Sequence, residues 1–268
     1  MRSWVLLAIM AGLLGSPAFS LSDDLVARLR HAQVVIAGEV HDNPAHHRQQ
    51  AEIAAELGPR ALVFEMLTAE QVAAAREVSR DDRAGLAAAL GWDDSGWPDF
   101  DLYHPIIAAA PDAGLYGAWV PRAAAREAMG AGIAKSFGRG ANRYGLETAL
   151  PEAEQAAREA DQAEAHCGAL PAEMLPVMVE LQRLRDAVLA REALRALEAT
   201  GGPVLVIAGN GHARADRGVP RALALAAPGV EVLTIGQGEE GAAPEGTFDI
   251  VLDAPGVERP DPCEAFGD

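Results

Sequence analysis

"VVIAGEVH" (residues 34–41) and "LVIAGNGH" (residues 205–212) decide the reading of this chain. Each is a short apolar run rich in β-branched residues. Each ends in Ala-Gly, two further residues and then His. A run that is apolar at every position, not at alternate ones, reads as a strand buried on both faces. Such strands belong to parallel sheets covered by helices. In open α/β sheets, ligands bind beyond the carboxyl ends of the strands. Gly38–His41 and Gly209–His212 each leave a strand at that end, so two distant segments can present imidazoles to one crevice.

Working outward, "ALVFEM", "GLYGAWV", "VEVLTIG" and "TFDIVL" read as further strands. Helices separate them. Ser22 caps "SDDLVARLRHA"; Asn43 and Pro44 open "DNPAHHRQQAEIAAEL", which Gly58-Pro59 ends. Thr68 with Gln71 makes a capping box for "TAEQVAAAREV". The long "PAEMLPVMVELQRLRDAVLAREALRALEA" carries Met174, Met178, Leu181, Leu184 and Val188 on one face. Two stretches break the rhythm: an aromatic helical insertion over roughly 80–112, and a second over 131–200 whose glycine-rich start, 131–150, is the least regular part. The alternation predicts an α/β fold, a mainly parallel doubly wound sheet flanked by helices, with a helical insertion or subdomain.

Half of the 268 residues are apolar, which marks a globular chain, and the formal net charge is −17. An acidic protein repels phosphate backbones, so nucleic acid is not expected as a partner. At the N-terminus, Arg2, the apolar run Val5–Leu14, and Ala18 and Ser20 before Leu21 predict a signal peptide over 1–20. Cleavage would leave one domain, 21–268, periplasmic or secreted and with no transmembrane segment. No Cys adjoins the cleavage site, so no lipid anchor is expected. Cys167 and Cys263 are a candidate disulfide of an oxidising compartment, or two separate buried thiols.

Glu39 lies between Gly38 and His41, and Glu65 ends "ALVFEM". A carboxylate there must be paired or metal-bound if buried. Glu39, His41, Glu65 and His212 together form an N/O donor set suited to Zn²⁺, Mn²⁺ or Fe²⁺. The other reading is two strand-end histidines bonded to backbone. Gly38 and Gly209 read as sharp turns off the strands, and Gly211 as a close approach to a ligand. His46 and His47 fall in the first turn of a helix, where anions are attracted. They read either as contacts to an anionic ligand group or as solvated surface residues. Tyr103, Tyr116 and Tyr144 are the tyrosines. A phenolate can ligate haem iron, while a buried Tyr bonded through its hydroxyl is the commoner use. No G-x-S-x-G elbow, P-loop or C-x-x-C-H haem attachment is present.

"AGEVHDNPAHHRQQ", "ALVFEML…EQ", "LQRLRDAVLA", "VLVIAGNGHARADRGVPRAL" and "RPDPCEAF" resemble the ChaN-like haem-binding proteins of bacteria. That family belongs with the Tiki metalloproteases and erythromycin esterases, whose paired Gly-x-x-His elements match Gly38–His41 and Gly209–His212. Glu39 and Glu65 match the acidic positions. The resemblance implies haem as cofactor, bound between two copies of the chain by a Tyr of one and a propionate-contacting His of the other. Tyr103, Tyr116, Tyr144, His46 and His47 are the candidates for those roles. It implies haem or iron acquisition as the function, and the superfamily adds a divalent-metal-dependent hydrolase as the alternative. A scaffold for another envelope protein is a third reading.

Overall fold

The computed structural model describes residues 21–261, 263 and 264. The expected signal peptide, 1–20, lies outside the described residues.

Six strands form one sheet: β1 (Val34–Ala37), β2 (Ala61–Phe64), β3 (Gly114–Gly117), β4 (Val204–Ile207), β5 (Val232–Glu239) and β6 (Ile250–Ala254). Their order is β3-β2-β4-β1-β5-β6, and every pairing is parallel. The helices are α1 (Asp23–Leu29), α2 (Pro44–Leu57), α3 (Ala69–Ala74), α4 (Arg83–Leu90), α5 (Phe100–Ala109), α6 (Arg122–Ala131), α7 (Ile133–Phe137), α8 (Glu152–Ala165), α9 (Leu175–Thr200), α10 (Asn210–Ala213) and α11 (Val219–Ala226).

The apolar runs make strands because both faces are covered. Val35, Ala37, Leu62, Phe64, Leu205 and Ile207 point into one core, shared with α1, α2, α4 and α5. The alternate residues Val34, Ile36, Ala61, Val63, Val204 and Val206 point into a second core, against α9 and α11. This is the doubly wound arrangement the alternation predicts. The caps form as their residue types dictate. Asn43 accepts from Ala45 N, and Thr68 and Gln71 close a reciprocal capping box.

The stretch 131–150 is more regular than its glycines suggest: it holds α7 and a 3₁₀ turn, Ala141–Tyr144. Phe137, Ala141 and Leu146 supply the reason, packing against Leu181, Leu184 and Ala187 of α9 in a third, smaller core. Cys167 and Cys263 are joined by a disulfide with Cα atoms 5.5 Å apart, which ties the chain's end to the segment after α8. No helix among the described residues is long and apolar enough to cross a membrane.

Candidate functional site

The strand order explains why two distant segments share an ending. β2, β4 and β1 are neighbours, and Ala37, Phe64 and Ile207 sit at the same level of the sheet. The residues that follow them, Gly38–His41, Glu65 and Gly209–His212, therefore emerge side by side at the carboxyl edge.

Glu39 is buried and fully engaged. Its Oε1 accepts from His41 Nδ1 at 2.7 Å and from the Tyr103 hydroxyl at 2.9 Å, and its Oε2 accepts from Gln50 Nε2 at 2.8 Å. Glu65 accepts from Gly209 N at 2.8 Å through Oε2, and its Oε1 lies 3.4 Å from His212 Nε2. His212 completes a chain by donating through Nδ1 to Asp186 Oδ1 at 2.7 Å.

Burial disfavours charge on His212, but Glu65 and Asp186 on either side outweigh it and push the imidazole up to about 10. Burial also works against the Glu65 charge, and His212 overcomes it, holding the carboxyl down at about 2. Asp186 is raised by burial, against the pull of His212. The proton therefore resides on His212, between two carboxylates. His41 is opposed by burial yet raised by its bond to Glu39 and by the charges of Glu39 and Glu65. Its side chain is 34% exposed and meets Trp97 edge-on, with ring centroids 4.9 Å apart.

Glu39, His41, Glu65 and His212 are thus brought together, but as hydrogen-bonded ion pairs. Among the described residues, no group of three or more His, Cys, Asp or Glu is placed to hold a metal ion. The reason is visible in the bonds: Glu39 has given both oxygens to protein donors, and His212 has given both nitrogens to carboxylates. The arrangement as it stands does not fit the Zn²⁺, Mn²⁺ or Fe²⁺ expected from the donor set.

The glycines act through space. Gly209 has φ −59°, a conformation open to any residue, but a Cβ there would lie 3.2 Å from His41 Nε2. A Cβ on Gly38 would collide with Asn210 Oδ1 and lie 3.1 Å from Ile235 O. Gly211 has room, its nearest neighbour being Gln182 at 3.9 Å. Gly38 and Gly209 thus answer to closeness of approach, not to a left-handed turn conformation.

His46 and His47 are buried, not solvated. His46 Nδ1 accepts from Val40 N at 2.9 Å while Nε2 donates to Gly238 O at 3.1 Å, and burial lowers its pKa. His47 Nε2 donates to His41 O at 2.8 Å. Their ring nitrogens fix the turn that carries Glu39 and His41. Tyr103 is likewise fully buried, and burial together with Glu39 raises its hydroxyl far above its usual range. It orients Glu39 and presents no phenolate. Tyr116 and Tyr144 are half-buried.

Asp186 and Gln50 join the site from helices without any motif that marks them. Asp186 sits in the middle of α9, where a lone acid looks like part of a solvated face. Its partner His212 is 26 positions away.

Together these features define a parallel α/β protein whose site is built where three neighbouring strands end. Residues 25–223 match the model of the family described as haem-binding uptake, Tiki superfamily, ChaN, and the chain belongs to that family. Membership supports haem binding and iron uptake in general. A solved structure of Campylobacter jejuni ChaN, described as showing cofacial heme binding, is similar over 85% of this chain and 90% of that one, at 19% identity and a TM-score of 0.65. At that identity the likeness shows the fold. The type III effector HopBA1 is 16% identical over 89% of this chain and 98% of that one, with a TM-score of 0.49. No curated protein matches.

Proposed function

We propose that this protein binds haem in the periplasm as part of haem or iron acquisition, and that Tyr116 is the residue facing the iron. The choice of tyrosine is carried by an unpartnered guanidinium donor in the cavity beside it; Tyr144 also lines cavities, of about 370 and 400 Å³, but among the described residues neither holds a buried arginine N–H without a partner. Tyr116, on the edge strand β3, lines a space of about 420 Å³ with Arg76, Arg80 and Arg195, the last donating to Glu192 Oε2 at 2.8 Å. Arg80 Nη1 is buried with no hydrogen-bond partner, and burial lowers the pKa of the guanidinium. An unsatisfied buried guanidinium donor calls for an acceptor. A carboxylate on the porphyrin rim is an acceptor of the right charge and geometry. Bound haem would supply a ferric centre, and Tyr116 would be the residue offering it a phenol oxygen. The chain's own part is to offer the Tyr116 oxygen from a rigid strand and to neutralise propionates with arginines. The C. jejuni relative is described as binding heme cofacially, and we extend this to expect dimers of the present chain when haem is added.

The test is a titration of the mature chain with ferric haem, read by absorbance and by size. Saturable binding with a shift to dimer supports the reading; no saturable binding defeats it. N-terminal sequencing of envelope protein should find Leu21 first. Retention of Met1 would overturn the periplasmic part.

A hydrolytic role for the strand-end crevice is a second reading. One observation favours it: perturbed ionisable groups, His41, Glu65 and His212, meet there, and His41 reaches solvent. Ester or peptide hydrolysis lost on His41→Ala would support it; absence of any turnover in the intact protein would not.

A further inference from the structure

Four arginines converge on a cavity that adjoins the crevice at Asp186 and is separate from the Tyr116 cavity. A cavity of about 370 Å³ is lined by Arg158, Arg183, Arg217 and Arg221, with Asp186 as a carboxylate in its wall. That volume suits a small organic ligand.

The guanidiniums are held in place. Arg158 is buried, and its Nε and Nη2 donate to Glu154 Oε1 at 3.0 and 2.6 Å. Arg221 Nη1 lies 3.1 Å from the same oxygen. Arg183 Nη1 donates to Glu180 Oε1 at 2.5 Å, and its Nη2 donates to Gly145 O and Thr148 O, each at 2.7 Å. Arg217 Nη2 lies 2.7 Å from Asp161 Oδ2 and its Nε 3.3 Å from Asp216 Oδ2. Each arginine thus has a carboxylate partner, but Glu154 Oε1 serves both Arg158 and Arg221, and the N–H donors of the four guanidiniums outnumber these acceptor oxygens. Burial lowers the pKa of Arg158, and the charge of Arg217 pushes the same way, against Glu154 and Asp186, which raise it. Asp186 is shared between Arg158 and the protonated His212, to which it is hydrogen-bonded. A smaller cavity of about 130 Å³ shares Arg158, Arg217 and Asp186 and reaches Gly211, beside His212.

We propose that this cavity binds a small ligand through an oxyanion, a phosphate or a carboxylate, received by Arg158, Arg183, Arg217 and Arg221. Planar guanidinium forks match both groups, and a wall fixed before the ligand arrives loses little side-chain entropy on binding. The proposal rests on no assumption about Tyr116 or haem.

The experiment is calorimetric titration of the haem-free chain with inorganic phosphate and, separately, with succinate, ionic strength being held constant with chloride. Saturable binding of either probe is expected, and the tighter one identifies the oxyanion. Arg221→Ala removes a half-exposed guanidinium whose partner Glu154 keeps Arg158, so the fold should survive. It should weaken binding at least tenfold. Arg126→Ala, which removes an exposed charge on α6, should leave binding unchanged. Binding by neither probe, or equal weakening by Arg221→Ala and Arg126→Ala, would overturn the site.

Discussion

Asp186→Ala tests the buried charge chain at the strand ends. The substitution leaves the buried His212 imidazolium with Glu65 alone. Breaking a buried pair by removing one partner costs about 3–5 kcal/mol. Two cavities touch the Asp186 side chain, so water can enter and the lower figure applies. For a chain of this size about 3 kcal/mol corresponds to a fall in Tm of roughly 6–12 °C. The pH dependence carries the sign. His212 is raised from 6.5 to about 10, so its contribution is complete below 6.5 and is lost as pH rises through about 10. The deficit of the variant should therefore be largest near about pH 6 and shrink above about pH 10, where the wild type has lost the same interaction. Circular dichroism melts of both proteins across that range measure it. A deficit under about 1 kcal/mol near pH 6, or one that does not change with pH, would refute the placement of the proton on His212.

Two further perturbations bear on the frame around the site. Gly38→Ala forces Asn210 away from its paired bonds to Gln237 N and O, at 2.9 and 2.8 Å, and should lower stability by roughly 1–3 kcal/mol in a denaturant melt; an unchanged midpoint would show that the strand end yields freely. Cys263→Ser opens a loop of 96 residues and should cost about 3–5 kcal/mol in the chain-entropy model, seen equally when wild type is melted with reductant. A melt insensitive to reductant would contradict the bond between Cys167 and Cys263.

The sheet was legible because its strands are buried on both faces. Val34–Ala37, Ala61–Phe64 and Val204–Ile207 are apolar at every position, and all are buried. The convergence of Glu39, His41, Glu65 and His212 followed from the rule that sites form beyond strand ends. What the group does was not legible, because its hydrogen bonds run to helices: Gln50 lies 11 positions from Glu39, but Tyr103 lies 64 from Glu39 and Asp186 26 from His212. The burial of His46 and His47 was not legible for a like reason. A helix's first turn is exposed unless something covers it, and the covering groups, Gly238 and Glu239 of β5, lie in a strand almost two hundred positions on. Tyr116 could not be separated from Tyr103 and Tyr144 in the sequence, because the unpartnered Arg80 Nη1 beside its cavity comes from a different segment of the chain.

The most direct measurement of the central claim is the ferric haem spectrum of Tyr116→Phe beside that of Tyr103→Phe. Tyr103 is buried against Glu39, and its loss should weaken the fold by about 1–2 kcal/mol while leaving the high-spin phenolate spectrum intact. Tyr116 opens to the arginine-lined cavity, and its loss should abolish that spectrum. A phenolate spectrum that survives Tyr116→Phe would contradict the assignment.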